Sequence, residues 1–267
     1  MIYRTDGYMI DALNRGQQNN AVILWDNKLA TAVFTGTGER EGFEATNAQA
    51  IDTASWWWPL GGNTLTMTFA APTEINAVGI AAHTLGSDGV PMRLEALIDD
   101  VWTVLYPQFT PADDEAIMIM FRSVTVPAIR IRLISAAARI GVVYAGLEMV
   151  MPQRVYASAP PLNLVLSTSF ETNKSQTGQF VGRSIIANAR PFDTTWTHLT
   201  ETWVRSDFLP FILAARRDPF FVALRPDRYP DDVGYVWTAR DIVPQRMGIK
   251  NFLQVQVAGE AHAGPEV

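Results

Sequence analysis

The chain lacks cysteine altogether and has few histidines. Because none of its 267 residues is a cysteine, disulfides and thiolate metal ligands are excluded, and folding needs no oxidising compartment. The only histidines are His83, His198 and His262, and they are not spaced as metal ligands on one element. We therefore expect no metal and no other cofactor.

Long apolar runs and a basic excess are also missing. No window approaches the roughly 18 apolar residues of a membrane span, and the first residues lack the charged start and apolar stretch of a signal peptide. The net charge is −6, with 9 basic and 16 acidic residues in 1–152 and 12 and 11 in 153–267. Neither half has the large excess of basic residues that binds nucleic-acid phosphates. We expect no membrane span, no nucleic-acid partner and synthesis in a reducing cytoplasm.

No catalytic constellation is visible. Adjacent acids occur at 99–100 and 113–115, but a glycosidase needs two carboxylates that converge across a cleft, and adjacent acids in a turn point apart. Gly36-Thr-Gly38 does not lead from a strand into a helix, and no Gly-x-Ser-x-Gly motif is present. The sequence therefore predicts a binding or scaffold protein and not an enzyme.

Alternating apolar and polar residues predict an antiparallel β-sandwich over 21–152. The clearest strands are 65–69, 78–83, 102–104, 129–133 and 144–151, separated by turn signals that include Pro72 and Pro127. A short apolar run at 21–25 could be a first strand, and the polar residues 1–20 are predicted to form an arm. The prolines at 160 and 161 predict a linker over 152–161.

Residues 153–267 are predicted to form a second, mostly β domain with one covering helix. Strands are expected at 162–166, 179–188, 220–224, 234–237 and 251–257. Apolar spacing over 200–216 fits one helical face, although Pro210 argues against a regular helix there. The fold class is therefore mainly β, a sandwich followed by a second β domain.

Trp56, Trp57 and Trp58 are the main candidates for ligand binding. Three adjacent indoles cannot all face one core in a strand, so at least one should point outward, where a sugar ring or a partner could stack on it. The alternative is that the strand is buried on both sides. His83 ends an apolar strand and is either a ligand contact or a hydrogen-bonded structural residue.

The region 20–151 resembles the discoidin-like, galactose-binding β-sandwich family. The resemblance rests on the order of Trp56, the strand 65–69, Pro72, the strand 80–83, Trp102, the strand 129–132 and Gly146. It implies a jelly-roll sandwich whose loops at one end bind sugars, lipids or proteins.

The second half resembles minor tail and distal-tail proteins of long-tailed bacteriophages. The resemblance rests on residues 178–183, Trp196, Trp203, 219–230 and 235–237. It implies a ring of identical copies at the tail tip, joined to tube, hub or fibre proteins. The residues expected at such interfaces are Arg183, Trp203, Phe220, Phe221, Arg225 and Tyr229. Arginines make up 18 of the 21 basic residues, which suits protein interfaces but is equally explained by a GC-rich genome.

These resemblances imply a structural virion protein, made and assembled in the cytoplasm of a bacterial host. Its function would be assembly by protein contacts, with weak adhesion to a host surface glycan as an additional role. The alternative is a soluble carbohydrate-binding module protein without tail assembly. The two differ in the expected mass in solution, because a tail component should form rings and a glycan binder should be a monomer.

Overall fold

A computed structural model describes residues 1–155, 161–248 and 251–264. The predicted mainly β fold is confirmed. Two short helical segments flank the first sheet's strands, at Lys28–Thr31 and Ala45–Gln49. The first sheet contains β1 (Ile2–Arg4), β3 (Val33–Gly36), β4 (Thr64–His83), β5 (Met92–Ile98), β6 (Val101–Phe109), β7 (Ile117–Leu133) and β8 (Ile140–Gly146).

The second sheet contains β2 (Val22–Leu24), β9 (Met149–Val150), β10 (Ser167–Lys174), β11 (Phe180–Thr200), β12 (Phe220–Ala223), β13 (Val233–Thr238), β14 (Gln245–Arg246) and β15 (Phe252–Ala261). The strands run in the order β10, β11, β15, β13, β12, β2, β9, with β14 paired to β15. The predicted domain boundaries place strands β2 and β9 in the sandwich, but both strands pair within the second sheet. Half of the predicted linker, residues 156–160, lies outside the described residues.

Two long strands fold the first sheet into a sandwich. The first part of β4 pairs with the last part of β7, and after a register shift the rest of β4 pairs with the first part of β7. Both parts contribute to one core, since Leu65 and Met67 join Val78 and Ile80 there. The turns predicted at Pro72 and Pro127 are wrong. Both prolines lie inside continuous strands, at the register shift, where a missing N–H removes no ladder hydrogen bond.

One face of the sandwich packs against the second sheet. Alternate residues of β4 face opposite sides, so that Val78 and Ile80 lie in the sandwich core while Ala77 and Ala81 lie between the sheets. Strands buried on both faces read as continuous apolar runs, which explains the sequence at 77–83. From the second sheet, the shared core receives Val22, Leu24, Phe221, Ala223, Val233 and Tyr235.

The N-terminal residues do not form an extended arm. Strand β1 pairs in parallel with β7, and helix α1 (Asp6–Asn14) follows it. The Thr5 side chain accepts a hydrogen bond from the Tyr8 N–H and caps the helix. Tyr8 and Ala12, one turn apart, are buried in the core between the sheets, and this burial holds the segment down.

The predicted helix near 200–216 is present but irregular. It consists of α2 (Glu201–Trp203), a π-helical turn (Val204–Phe208) and α3 (Leu209–Ala214). Pro210 lies directly after the widened turn, which accommodates a residue that has no N–H and whose ring would contact the preceding turn. Phe208 and Phe211 pack on the second sheet against Phe220.

Glu148 makes stability depend on pH. Burial raises the pKa of its carboxyl from an ordinary 4.5 to about 7, and its Oε2 atom has no hydrogen-bond partner among the described residues. The folded state therefore holds a proton that the unfolded chain releases, and stability falls as the pH rises from about 4.5 to about 7. We expect Glu148→Gln to stabilise the protein at pH 8 by on the order of 2 kcal/mol and to change little at pH 4.5.

Urea unfolding at both pH values measures this effect. The exposed Glu41 provides the control, because Glu41→Gln removes an equal charge from a solvated position. A gain in stability for Glu148→Gln that is the same at both pH values would show that the carboxyl is not the cause.

Candidate functional site

The three consecutive tryptophans lie in two environments. Trp57 is fully buried in the sandwich core, and its backbone exchanges two hydrogen bonds with Ile140, at 2.9 and 3.0 Å. Trp56 and Trp58 are half-buried at the surface, as the alternation of an extended segment requires. Burial removes Trp57 from the accessible ligand-binding candidates, while Trp56 and Trp58 stay accessible.

Two arginines and a phenylalanine surround the accessible indoles. The Arg40 guanidinium carbon lies 3.9 Å from the ring centroid of Trp58. The Arg139 guanidinium carbon lies 4.7 Å from the Trp58 centroid and 5.4 Å from that of Trp56. The Phe43 ring meets Trp58 edge to face at 5.4 Å. We call these five residues, Arg40, Phe43, Trp56, Trp58 and Arg139, the Trp-Arg face.

Backbone hydrogen bonds fix the loops that carry this face. The Asn47 side chain donates to the carbonyls of Gly42 and Trp56, both at 3.1 Å. The Trp58 N–H donates to the Phe43 carbonyl at 3.2 Å, and Nε of Arg40 donates to the Pro59 carbonyl at 3.3 Å. The face is therefore preorganised, which lowers the entropic cost of binding a ligand.

His83 is a buried structural residue. Its Nδ1 accepts the Leu85 N–H at 3.3 Å, and its Nε2 lies 2.9 Å from the Glu115 carbonyl oxygen. Burial lowers the pKa of the imidazole to about 4, so the ring is neutral at pH 7 with its proton on Nε2. Full burial removes His83 from the ligand-binding candidates and favours the hydrogen-bonded alternative.

The acidic residues at 113–115 have structural roles. Asp114 accepts the N–H groups of Gly86 and Ser87, at 2.9 and 3.0 Å, and Glu115 forms an ion pair with Arg190. Asp99 and Asp100 are exposed in the turn between β5 and β6. In the part of the chain that the structure describes, no group of three His, Asp or Glu side chains could hold a metal ion.

The six residues expected at interfaces lie in different places. Phe220 is buried in the core of the second sheet and Phe221 in the core between the sheets, so neither can contact a partner. Their alternation along β12 makes each ring face a different core. Of the other four, Arg183 and Tyr229 are exposed, and Trp203 and Arg225 are half-buried.

A projecting β-hairpin carries the largest set of exposed apolar residues on the second sheet. Strand β10 pairs only with the first part of β11, while the last part of β11 pairs with β15. Eight residues of β10 make the hairpin about 26 Å long. Its exposed apolar residues are Phe170, Phe180, Val181, Ile185 and Ile186, from 46% to 67% exposed.

Sequence reasoning identified Arg183 in this hairpin but not the apolar residues around it. The Arg183 guanidinium lies 3.8 Å from the Phe170 ring centroid. Phe170 pairs with Ile185 and Lys174 pairs with Phe180, so the three apolar residues of these pairs lie on one face of the hairpin. Val181 and Ile186 lie at the two register shifts of β11, where alternation does not assign a face. The pattern predicts a strand, and nothing in it indicates that neither face is covered.

No protein-family model and no curated protein matches the chain. Among solved structures it is similar to a family 32 carbohydrate-binding module of C. perfringens NanJ in complex with galactose, at 12% identity over 48% of this chain and 99% of that one, with a TM-score of 0.40. It is also similar to a chitosan-binding module from a chitosanase/glucanase of Paenibacillus sp. IK-5, at 15% identity over 45% of this chain and 97% of that one, with a TM-score of 0.39. At such scores the likeness carries no information about what this chain binds.

Proposed function

We propose that this chain is a structural protein, without catalytic activity, that assembles with copies of itself through the hairpin of β10 and β11. The observation that carries the proposal is the exposed apolar surface of that hairpin, with five apolar side chains between 46% and 67% exposed. An isolated two-stranded hairpin is at best marginally stable in water, and contiguous exposed apolar surface marks protein interaction sites.

The free edges of the hairpin favour a second copy as the partner. In the described residues, β10 and the first part of β11 have no neighbour other than each other. Their outer edges therefore carry unpaired N–H and C=O groups to which a strand of another copy can add. The same pairing between all copies would generate a ring or a filament.

The tail tip of a bacteriophage is the assembly that we propose. The support is the resemblance of residues 178–237 to distal-tail proteins together with the hairpin, which supplies a subunit contact. Tube, hub or fibre proteins would be the further partners. The protein would be made in the bacterial cytoplasm and end in the virion. No helix in the described residues is both long and apolar enough to cross a bilayer.

A pair of valines tests the assembly. Val181 lies in the hairpin and is 67% exposed, and Val243 lies outside it and is 61% exposed. We expect the mass of the wild-type protein, measured by light scattering, to rise above 29.6 kDa with concentration. Val181→Glu should weaken association by about tenfold or more because a charge enters the apolar contact, while Val243→Glu should have no effect.

The assembly proposal fails under two outcomes. A wild-type protein that stays monomeric at every concentration shows that the hairpin does not join copies. Equal association of the two glutamate variants shows that copies associate through another surface.

Carbohydrate binding is a second candidate function. It is favoured by Trp56 and Trp58, whose half-exposed indoles lie side by side on a preorganised surface of the sandwich. Aromatic rings of this kind pack against the C–H faces of sugars. Loss of binding to a glycan array on changing both indoles to alanine is the expected result.

A further inference from the structure

The Trp-Arg face carries two cations without an anion. Among the described residues, neither Arg40 nor Arg139 has a carboxylate oxygen within 4.0 Å. Both guanidiniums are half-buried, so they have lost part of their hydration. Half-buried arginines usually pair with carboxylates, as Arg93 and Arg130 do with Glu95 in the same sandwich.

The acidic residues of the neighbouring loops are engaged by backbone groups. Glu39 accepts the Ala45 N–H at 2.7 Å, Glu44 accepts the Gly42 N–H at 2.9 Å, and Asp52 accepts two backbone N–H groups at 2.9 Å. These carboxylates are therefore directed to their own turns. The exposed Glu41 makes no ion pair within 4.0 Å with any residue that the structure describes. These carboxylates keep their charge, but in the described residues none of them pairs directly with either guanidinium of the face, whose donors can therefore bind an external anion.

Stacking leaves the hydrogen-bond donors of an arginine free. A guanidinium that lies over an indole uses its π-face, while its N–H groups point outward in its own plane. In that plane they match a carboxylate, which they can bind with two parallel hydrogen bonds. Nε of Arg40 is occupied by the Pro59 carbonyl, but its terminal nitrogens and the whole guanidinium of Arg139 have no such partner in the described residues.

We infer that the Trp-Arg face binds an acidic saccharide, with the carboxylate of a uronic acid on Arg139 and Arg40 and the sugar ring against Trp56 and Trp58. The inference rests on carbohydrate binding as the second candidate function and adds the charge of the ligand. Two indoles with an aromatic edge beside them provide an apolar surface for a pyranose ring. An acidic peptide could bind the two arginines through its carboxylates, but it has no sugar ring to pack against the two indoles.

Three ligands distinguish the contribution of the carboxylate from that of the sugar ring. The first is an oligogalacturonate, the second is the same oligomer with its carboxylates methyl-esterified, and the third is a polyglutamate of similar charge. We expect titration calorimetry and tryptophan fluorescence to show binding of the oligogalacturonate. Binding of the esterified oligomer and of polyglutamate should be weaker by about tenfold or more, since each lacks one of the two contacts.

Two arginine variants locate the site. Arg139→Gln should weaken binding of the oligogalacturonate by about tenfold, because it removes the charged donors, and should leave the weak binding of the ester unchanged. Arg217 is exposed, lies in the second half of the chain and forms no ion pair with a described residue, so Arg217→Gln is the control and should have no effect. The comparison between acid and ester needs no variant and therefore does not depend on how Arg139→Gln folds.

The possible outcomes are distinct. Equal binding of acid and ester overturns the inference and leaves carbohydrate binding intact. Binding of polyglutamate as tight as that of the oligogalacturonate identifies an acidic peptide as the ligand and overturns it as well. If none of the three ligands binds, the inference fails, while the glycan array still decides whether the chain binds carbohydrate and the proposed assembly through the hairpin is unaffected.

Discussion

Trp57→Ala is expected to destabilise the sandwich by about 3–5 kcal/mol, a large part of the stability of an ordinary domain. The indole is fully buried among the core residues of both layers, and its removal leaves a cavity that paired strands cannot close. The change also removes the side chain that fixes the segment of the Trp-Arg face in the core, although alanine keeps the two backbone hydrogen bonds to Ile140. Urea unfolding, followed by the fluorescence of the remaining tryptophans, measures the free energy of unfolding.

The neighbouring tryptophan is the matched control. Trp56→Ala removes an equal side chain from a half-buried position, and we expect a loss of about 1 kcal/mol. Trp57→Phe should fall between the two, because it keeps most of the volume and removes an N–H that has no acceptor among the described residues. Equal losses of unfolding free energy for Trp56→Ala and Trp57→Ala would contradict the placement of Trp57 in the core and Trp56 at the surface.

Gly79 and Phe221 are expected to be strongly coupled across the two sheets. A Cβ atom on Gly79 would lie 2.6 to 2.7 Å from the Phe221 ring, which is fully buried and cannot move away. We expect Gly79→Ala to lower the free energy of unfolding by about 2 kcal/mol and Phe221→Ala to lower it by about 3–5 kcal/mol. In the Phe221→Ala protein, the added methyl group enters the vacated space, so Gly79→Ala should cost close to nothing.

A double-mutant cycle compares the wild type, Gly79→Ala, Phe221→Ala and the double variant. The coupling energy that it gives should be about 2 kcal/mol. Gly182→Ala is the control, because Gly182 is also a strand glycine, and a Cβ there would meet nothing within 4 Å. Additive effects of Gly79→Ala and Phe221→Ala would show that the two sheets do not pack as described.

The sequence predicted the positions of the strands more accurately than the pairing between them. Alternation predicted strands at 65–69 and 78–83, and both are present, but as parts of the single strand β4. Pro72 was predicted to be a turn because proline cannot donate a hydrogen bond to a neighbouring strand. The sequence does not reveal that Pro72 lies at a register shift, where the strand needs no such donor. Strand β2 was predicted as an element, yet a three-residue apolar strand carries no information about its neighbour, and its pairing with β12 is set by tertiary packing.

The candidate site was predictable only in part. Three adjacent tryptophans indicated that at least one indole points outward, and Trp56 and Trp58 are the accessible ones. Arg40 and Arg139 were not identified, because they lie 16 residues before Trp56 and 81 residues after Trp58 and carry no local pattern. Phe220 and Phe221 were expected at an interface because residues 219–230 resemble tail proteins, but they fill two cores, and no spacing rule separates a core aromatic from an interface aromatic.

The pairing of β2 with β9 makes the sandwich an insertion in the second sheet. Val22 faces Val150 and Ile23 faces Met149 in antiparallel register. The chain therefore leaves the second sheet and returns to the same place after every strand of the first sheet except β1 has been built. Such an arrangement allows one module to be exchanged for another during evolution while the hairpin is preserved. Whatever occupies that position must offer an apolar surface to Phe221 and Tyr235, and this requirement limits which modules can replace the present one.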